Sequence, residues 1–315
     1  MDLVLALDVG GTKLAAAVVD AEGRVRGRSR SPAPRTSDPE EFYEGLIATA
    51  AAAMRGAATT PGELAAAGCG CGGPMRWPEG AVSPLNIPAW RDFPLRARLA
   101  EDLAVPVLLH NDAIALATGE HWRGGGAGTT NMLAITVSTG VGGGLVLGGR
   151  LYHGTSGNAG HFGHIVAEPG GPACPCGGRG CVEAIASGPN TVRRAVDEGW
   201  RPPSGAEADG HALAAAAVAG DEIAVRNLAR AGRAVGVGLA TSAAMLDLQV
   251  AVVAGGFSRS GPLFWDALTE AFETHATMAF TRAMRVVPST IPDDVGLLGA
   301  AAFVLEPERY GWVVP

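Results

Sequence analysis

The chain has 315 residues, 47% of them hydrophobic, and carries a net charge of −7 at neutral pH; it can bury a large core, and its length suits two domains of ordinary size. That acidic balance provides no basic stripe to follow a nucleic acid, and the apolar start is broken by Asp8 without the basic segment of a signal peptide. No run approaches the roughly 20 apolar residues that span a bilayer, so we expect a cytoplasmic protein with neither nucleic-acid nor membrane partners.

From Leu3 to Val25 the sequence reads as apolar strand, glycine turn, strand, turn at Glu22-Gly23, strand. Pro39 to Arg55 has helical composition, Leu64 to Cys71 reads as a strand and Pro94 to Leu103 as a helix. A strand over Val105 to His110 runs into Asn111-Asp112, with a helix from Ala113 to Trp122 and a glycine linker at 124–128. Leu133 to Leu151 then repeats the strand, glycine turn, strand, Gly-Gly turn, strand order, about 130 residues after its first appearance. Cys181 to Ser187, Asp221 to Leu246 and Gly296 to Leu305 read as helices, and Val250 to Gly256 as a buried strand ending in two glycines. The repeat predicts two lobes of like topology: 1–122 with 297–315 as the smaller, 123–296 as the larger. The abundance of Ala and Gly is read as codon bias without mechanistic meaning.

Three glycine turns follow apolar strands: Asp8-Val-Gly-Gly-Thr-Lys13, Ser138-Thr-Gly-Val-Gly-Gly-Gly144 and Gly255-Gly256. Glycines let backbone N–H groups approach phosphate oxygens, Thr12 and Lys13 add a hydroxyl and a charge, and Asp8 could hold Mg²⁺ through water. The spacing is not that of a Walker loop. His164, Cys174, Cys176 and Cys181 supply one imidazole and three thiolates, the closed ligand set of a structural zinc. An odd total of five cysteines favours metal over disulfides. Cys69 and Cys71 read as small core residues, with a redox pair the alternative. Asp112 is either a helix N-cap or the carboxylate that phosphoryl transfer needs to take a hydroxyl proton. Asn86, in a loop stiffened by Pro84 and Pro88, can donate to and accept from a sugar hydroxyl. Trp90 reads equally as a packing anchor, and Glu183 as a first-turn helix residue or a hydroxyl acceptor.

Together, Asp8 to Lys13, Asn86-Ile-Pro-Ala-Trp90, Asn111-Asp112-Ala113, Thr139 to Gly144, Gly163-His164, Cys174 to Glu183 and Ala186-Ser-Gly188 resemble the ROK family of bacterial sugar kinases and sugar-responsive repressors. The resemblance spans nearly the whole chain, and its cysteine segment is the most specific part. It implies an α/β, two-lobed actin/hexokinase-like (ribonuclease H-like) fold with duplicated lobes and an interlobe cleft. It further implies ATP held by Gly10, Gly11, Thr12, Lys13, Thr139 and Gly140, with Gly255 and Gly256 beside the adenosine. Asp112 would be the base, and Gly73, Asn86, Asn111, His161, His164 and Glu183 would surround the sugar. A homodimer or homotetramer is expected from the same likeness.

One departure bears on the substrate. Family kinases usually carry Glu three residues before the zinc histidine, and here that residue is His161. An imidazole keeps a donor and an acceptor where a carboxylate only accepts, so the preferred hydroxyl pattern changes. Glucose is the default acceptor; an amino sugar such as kanosamine, or a C7-cyclitol, is the alternative. A non-catalytic sugar-sensing regulator is the rival from another class. With the first strand starting at residue 3, no helix-turn-helix is expected ahead of it.

Overall fold

The computed structural model describes residues 3–291 and 294–313. Its strands are β1 Leu3–Val9, β2 Lys13–Val19, β3 Val25–Pro32, β4 Leu64–Cys71, β5 Met75–Arg76, β6 Ala81–Val82, β7 Val107–Asn111, β8 Met132–Val137, β9 Val141–Leu147, β10 Arg150–Tyr152, β11 Val250–Ala254 and β12 Arg285–Pro288. Its helices are α1 Pro39–Gly56, α2 Leu95–Leu103, α3 Asp112–Arg123, α4 Val182–Ala186, α5 Gly188–Asp197, α6 Gly210–Val218, α7 Glu222–Leu246, α8 Pro262–His275, α9 Ala279–Arg282, α10 Val295–Leu305 and α11 Pro307–Tyr310.

The repeat seen in the sequence is a repeat of topology. One sheet runs β3-β2-β1-β4-β7 and the other β10-β9-β8-β11-β12, the same order with the same parallel pairing of the inner strands. By contacts the chain divides into two compact units: Met1–Thr130 with Gly144–Ala159 and Thr290–Pro315, and Asn131–Gly143 with Gly160–Ser289. This is the two-lobed actin/hexokinase-like α/β architecture.

In the first unit, alternate residues of β1 feed opposite faces of the sheet, as the two-residue period of a strand requires. Leu5, Leu7 and Val9 pack with Phe42, Leu46 and Leu99 from α1 and α2, whereas Val4 and Ala6 pack with Ala300, Ala301 and Phe303 from α10. Burying each such leucine stabilises the fold by about 2 kcal/mol.

In the second unit, α7 lies against α8 so closely that a Cβ on Gly232 would stand 2.2 Å from the Phe264 carbonyl oxygen, and one on Gly236 2.3 Å from that of Leu268. These glycines are therefore packing residues, which corrects the reading of the glycine content as mere codon bias.

Helices α5, α6 and α8 lie in stretches where no helix was predicted. Polar and glycine-rich boundaries hide the starts of α5 and α6 at Ser187-Gly188 and Asp209-Gly210.

Candidate active site

Register explains why residues distant in sequence meet. In the first unit β1, β4 and β7 are parallel, with Val9 opposite Cys71 and Cys71 opposite Asn111. The turn at Gly10, the pair Gly72-Gly73 and the dipeptide Asn111-Asp112 thus leave one edge of one sheet, the carboxyl edge where open α/β sheets bind ligands. The second unit repeats the arrangement. Ala254 lies opposite Thr136, so Ser138-Thr139 and Gly255-Gly256 leave a common edge.

At the first turn, Gly10 N–H donates to the Lys13 carbonyl at 3.1 Å, and Thr12 and Lys13 are exposed. Gly11 is sterically obligatory, since a Cβ there would lie 2.1 Å from the Asn86 carbonyl oxygen. The turn and the Asn86 loop are therefore held together by backbone contact. The loop itself is anchored by Trp90, fully buried, stacked 4.6 Å from Phe93 and donating to the Pro39 carbonyl at 3.1 Å. The packing role of Trp90 is thereby accounted for.

The N-cap of α3 is Asn111, whose Oδ1 accepts from Ala113 N–H at 3.0 Å. Asp112 is thus the first residue inside the helix rather than its cap, and its Oδ1 also accepts from Ala113 N–H at 2.8 Å. Its charge reaches Asp8, whose carboxyl is pushed up to about 6 by desolvation and then by Asp112, against the pull of Lys13 and Arg30. Burial together with a neighbouring like charge is the combination that perturbs carboxylates at functional sites. Gly73 borders the other side of Asn111, its side-chain position 3.4 Å from Asn111 Nδ2. Cys69 and Cys71 are fully buried in β4, and burial holds both thiols well above their usual range. They are core residues with no thiolate to offer redox chemistry.

In the second unit, Glu183 Oε2 accepts from Val141 N–H at 2.9 Å. It would also stand 2.9 Å from a Cβ on Gly140, so this carboxylate closes the turn Ser138–Val141. Neither of the two sequence readings of Glu183 anticipated this bond, which depends on a partner 42 residues away. Gly188 N–H donates to the Ser138 carbonyl at 2.8 Å, bringing the start of α5 to the same turn. A cavity of about 630 Å³ opens there, lined among others by Thr139, Val192, Arg193, His211, Gly256 and Phe257. Gly255, just before the lining residue Gly256, turns the chain there: with φ of +97° and Val137 O 2.3 Å from any Cβ, no other residue fits. Arg193, His211 and Phe257 were not singled out in the sequence; the signal for the first two was the polar start of α5 and α6, and for Phe257 its place right after Gly255-Gly256.

His164, Cys174, Cys176 and Cys181 bring their ligand atoms within 4.8 Å of one another. Cys176 Sγ and Cys181 Sγ are 3.7 Å apart, and Cys174 Sγ and His164 Nδ1 3.8 Å. A tetrahedron with Zn–S bonds of about 2.3 Å has S···S edges of about 3.8 Å, so the cluster has the dimensions of a closed zinc site. Glu168 and Arg230 pair through two bonds of 2.9 and 2.6 Å, tying the loop to α7. His161 stacks on His164 with ring centroids 5.9 Å apart.

The ROK family model matches residues 4–307. The chain is 34% identical to a glucokinase of Streptomyces coelicolor over 98% of its own length and 99% of that protein's. It is 37% identical to an N-acetylmannosamine kinase of Escherichia fergusonii, covering 94% and 96% of the two chains. The crystal structure of a ROK family glucokinase from Streptomyces griseus in complex with glucose and AMPPNP superposes with a TM-score of 0.79 at 32% identity, covering 96% and 98%.

Proposed function

The chain belongs to the ROK family and is an ATP-dependent sugar phosphotransferase, and from that premise we propose that it transfers the γ-phosphoryl group to the terminal, 6-type hydroxyl of a hexose. Glucose is the default acceptor. The observation that carries this reading is the register that brings Asn111-Asp112 to the same sheet edge as the Gly10–Lys13 turn.

Asp112 takes the proton of the attacking hydroxyl as its oxygen bonds the γ-phosphorus, and the bond from that phosphorus to the β–γ bridging oxygen breaks to release ADP. Asp8 and Lys13 flank the phosphate turn with charges of opposite sign, suited to a Mg²⁺ ion and to phosphate oxygens respectively. When bound, Mg²⁺ supplies charge neutralisation on the phosphates. In the first unit, Gly10, Gly11, Thr12 and Lys13 serve phosphate, while Gly73, Asn86 and Asn111 serve sugar hydroxyls. In the second, Thr139 and Gly140 serve phosphate, Gly255 and Gly256 adenosine, and His161, His164 and Glu183 sugar. Zinc on His164, Cys174, Cys176 and Cys181 is structural: four protein ligands leave no position for a bound water.

An amino-sugar acceptor is the second reading, supported by the N-acetylmannosamine kinase relatives and by His161. We also read the protein as a cytoplasmic homodimer or homotetramer; no described helix is long and apolar enough to cross a membrane. A coupled ADP-release assay across glucose, N-acetylmannosamine, kanosamine and C7-cyclitols tests the acceptor. Glucose turned over at least as efficiently as every other acceptor would remove the second reading. Asp112→Asn should abolish turnover while ATP binding persists, and retained turnover would overturn the base assignment.

A further inference from the structure

We propose that His110 is a positioning residue for Asp112, braced through His153 by the C-terminal tail at Gly311-Trp312; the inference rests on the reading of Asp112 as the base. His110 is wholly buried at the end of β7. Its Nδ1 lies 2.8 Å from the N–H of Asn111, the residue just before Asp112. Because that N–H donates, Nδ1 is bare, and the neutral ring carries its proton on Nε2. Nε2 stands 3.1 Å from His153 Nδ1, which therefore accepts. His153 is left with its proton on Nε2, available to its hydrogen bond with the Gly311 backbone. One tautomer of each ring satisfies all three bonds, and burial beside His153 keeps His110 neutral, pushed down to about 3.

The far end of this chain is fixed as firmly as the near end. Tyr310 and His121 Nδ1 are 2.7 Å apart, and His121 Nε2 lies 2.7 Å from the Thr129 carbonyl, so Nε2 donates there and the tyrosine hydroxyl donates to Nδ1. Trp77 stacks on His153 at 5.1 Å, and Trp312 meets His110 and His153 edge-on at 5.1 and 5.2 Å. Asn111 is consequently held twice, by its N–H on His110 and by its side chain on Ala113 N–H. With both fixed, the peptide leading into α3 cannot rotate, and the Asp112 carboxylate keeps its direction. A histidine serving packing alone would alter stability and leave the chemical step untouched.

The test compares His110→Phe, His110→Asn and His153→Phe in the full chain, measuring kcat, both KM values with the best acceptor, and thermal melting. Phe keeps the ring and loses the acceptor; Asn places an amide oxygen where Nδ1 was. A misplacement of about 1 Å costs on the order of 100-fold in rate, so a smaller tilt in His110→Phe should lower kcat roughly tenfold with both KM values within about threefold. His110→Asn should recover most of that loss, and His153→Phe should fall between. Unchanged kcat in His110→Phe, or His110→Asn no better than Phe, overturns the inference. Should His110→Phe fail to fold, His153→Phe decides: lowered kcat at constant KM supports it, and unchanged kcat overturns it. Asp112→Asn run in parallel separates the two readings. If it still turns over, the base assignment fails and this inference with it; if it is inactive while the histidine variants retain kcat, only the positioning role fails.

Discussion

The buried imidazole pair makes a measurable claim about acid stability. His110 is fully buried, and its pKa in the fold is pushed down to about 3 by burial and by His153, against 6.5 for an unperturbed histidine. The unfolded chain therefore binds a proton near pH 6.5 that the folded chain refuses. Stability from this group is fully present above pH 6.5, falls as the pH drops below it, and stops falling near the folded value. At pH 5 the unfolded state has gained about 1.5 pH units of proton affinity, and at about 1.36 kcal/mol per unit the loss is about 2 kcal/mol. His153, also held low by burial, adds in the same direction. Urea unfolding of the wild type and of His110→Phe at pH 7 and pH 5 isolates the effect. The variant loses the bond to Asn111 N–H at both pH values, so the quantity of interest is the difference between the two slopes. The wild type should lose about 2 kcal/mol more than the variant over that interval. Parallel losses in the two proteins would refute the assignment of a neutral, proton-refusing pair.

Two further outcomes follow from the geometry. Gly11→Ala would push a Cβ against the Asn86 backbone oxygen at 2.1 Å, and the loop cannot easily yield because Trp90 pins it; overpacking of this kind costs about 1–3 kcal/mol. Steady-state kinetics should show raised KM for acceptor and nucleotide together, whereas wild-type KM values would show that the loop gives way freely. For the metal cluster, elemental analysis should find zinc, and Cys174→Ser should lose it and lower the melting temperature by about 5 °C or more. Melting that is indifferent to metal would remove the structural role.

Local signals were legible without coordinates. Short apolar runs marked β1 and β4, the glycine turns marked where strands end, and the Cys174-Pro-Cys-Gly-Gly-Arg-Gly-Cys181 spacing marked one tight loop, because each depends on neighbours within a few positions. The duplication was legible too, since two copies of one topology leave the same order of strands and turns in the chain.

What the sequence by itself determined, then, is the kind of element at each position and the ligand chemistry available to it. Tertiary structure alone decided the pairings. That Glu183 closes the Ser138–Val141 turn, that Asn111 rather than Asp112 caps α3, and that His110 reaches the tail through His153 are hydrogen bonds whose partners depend on register and packing. The glycines show the same division. Gly232 and Gly236 look like weak points in a helix until α8 lies against them, and a glycine's value as a contact surface exists only where another backbone arrives.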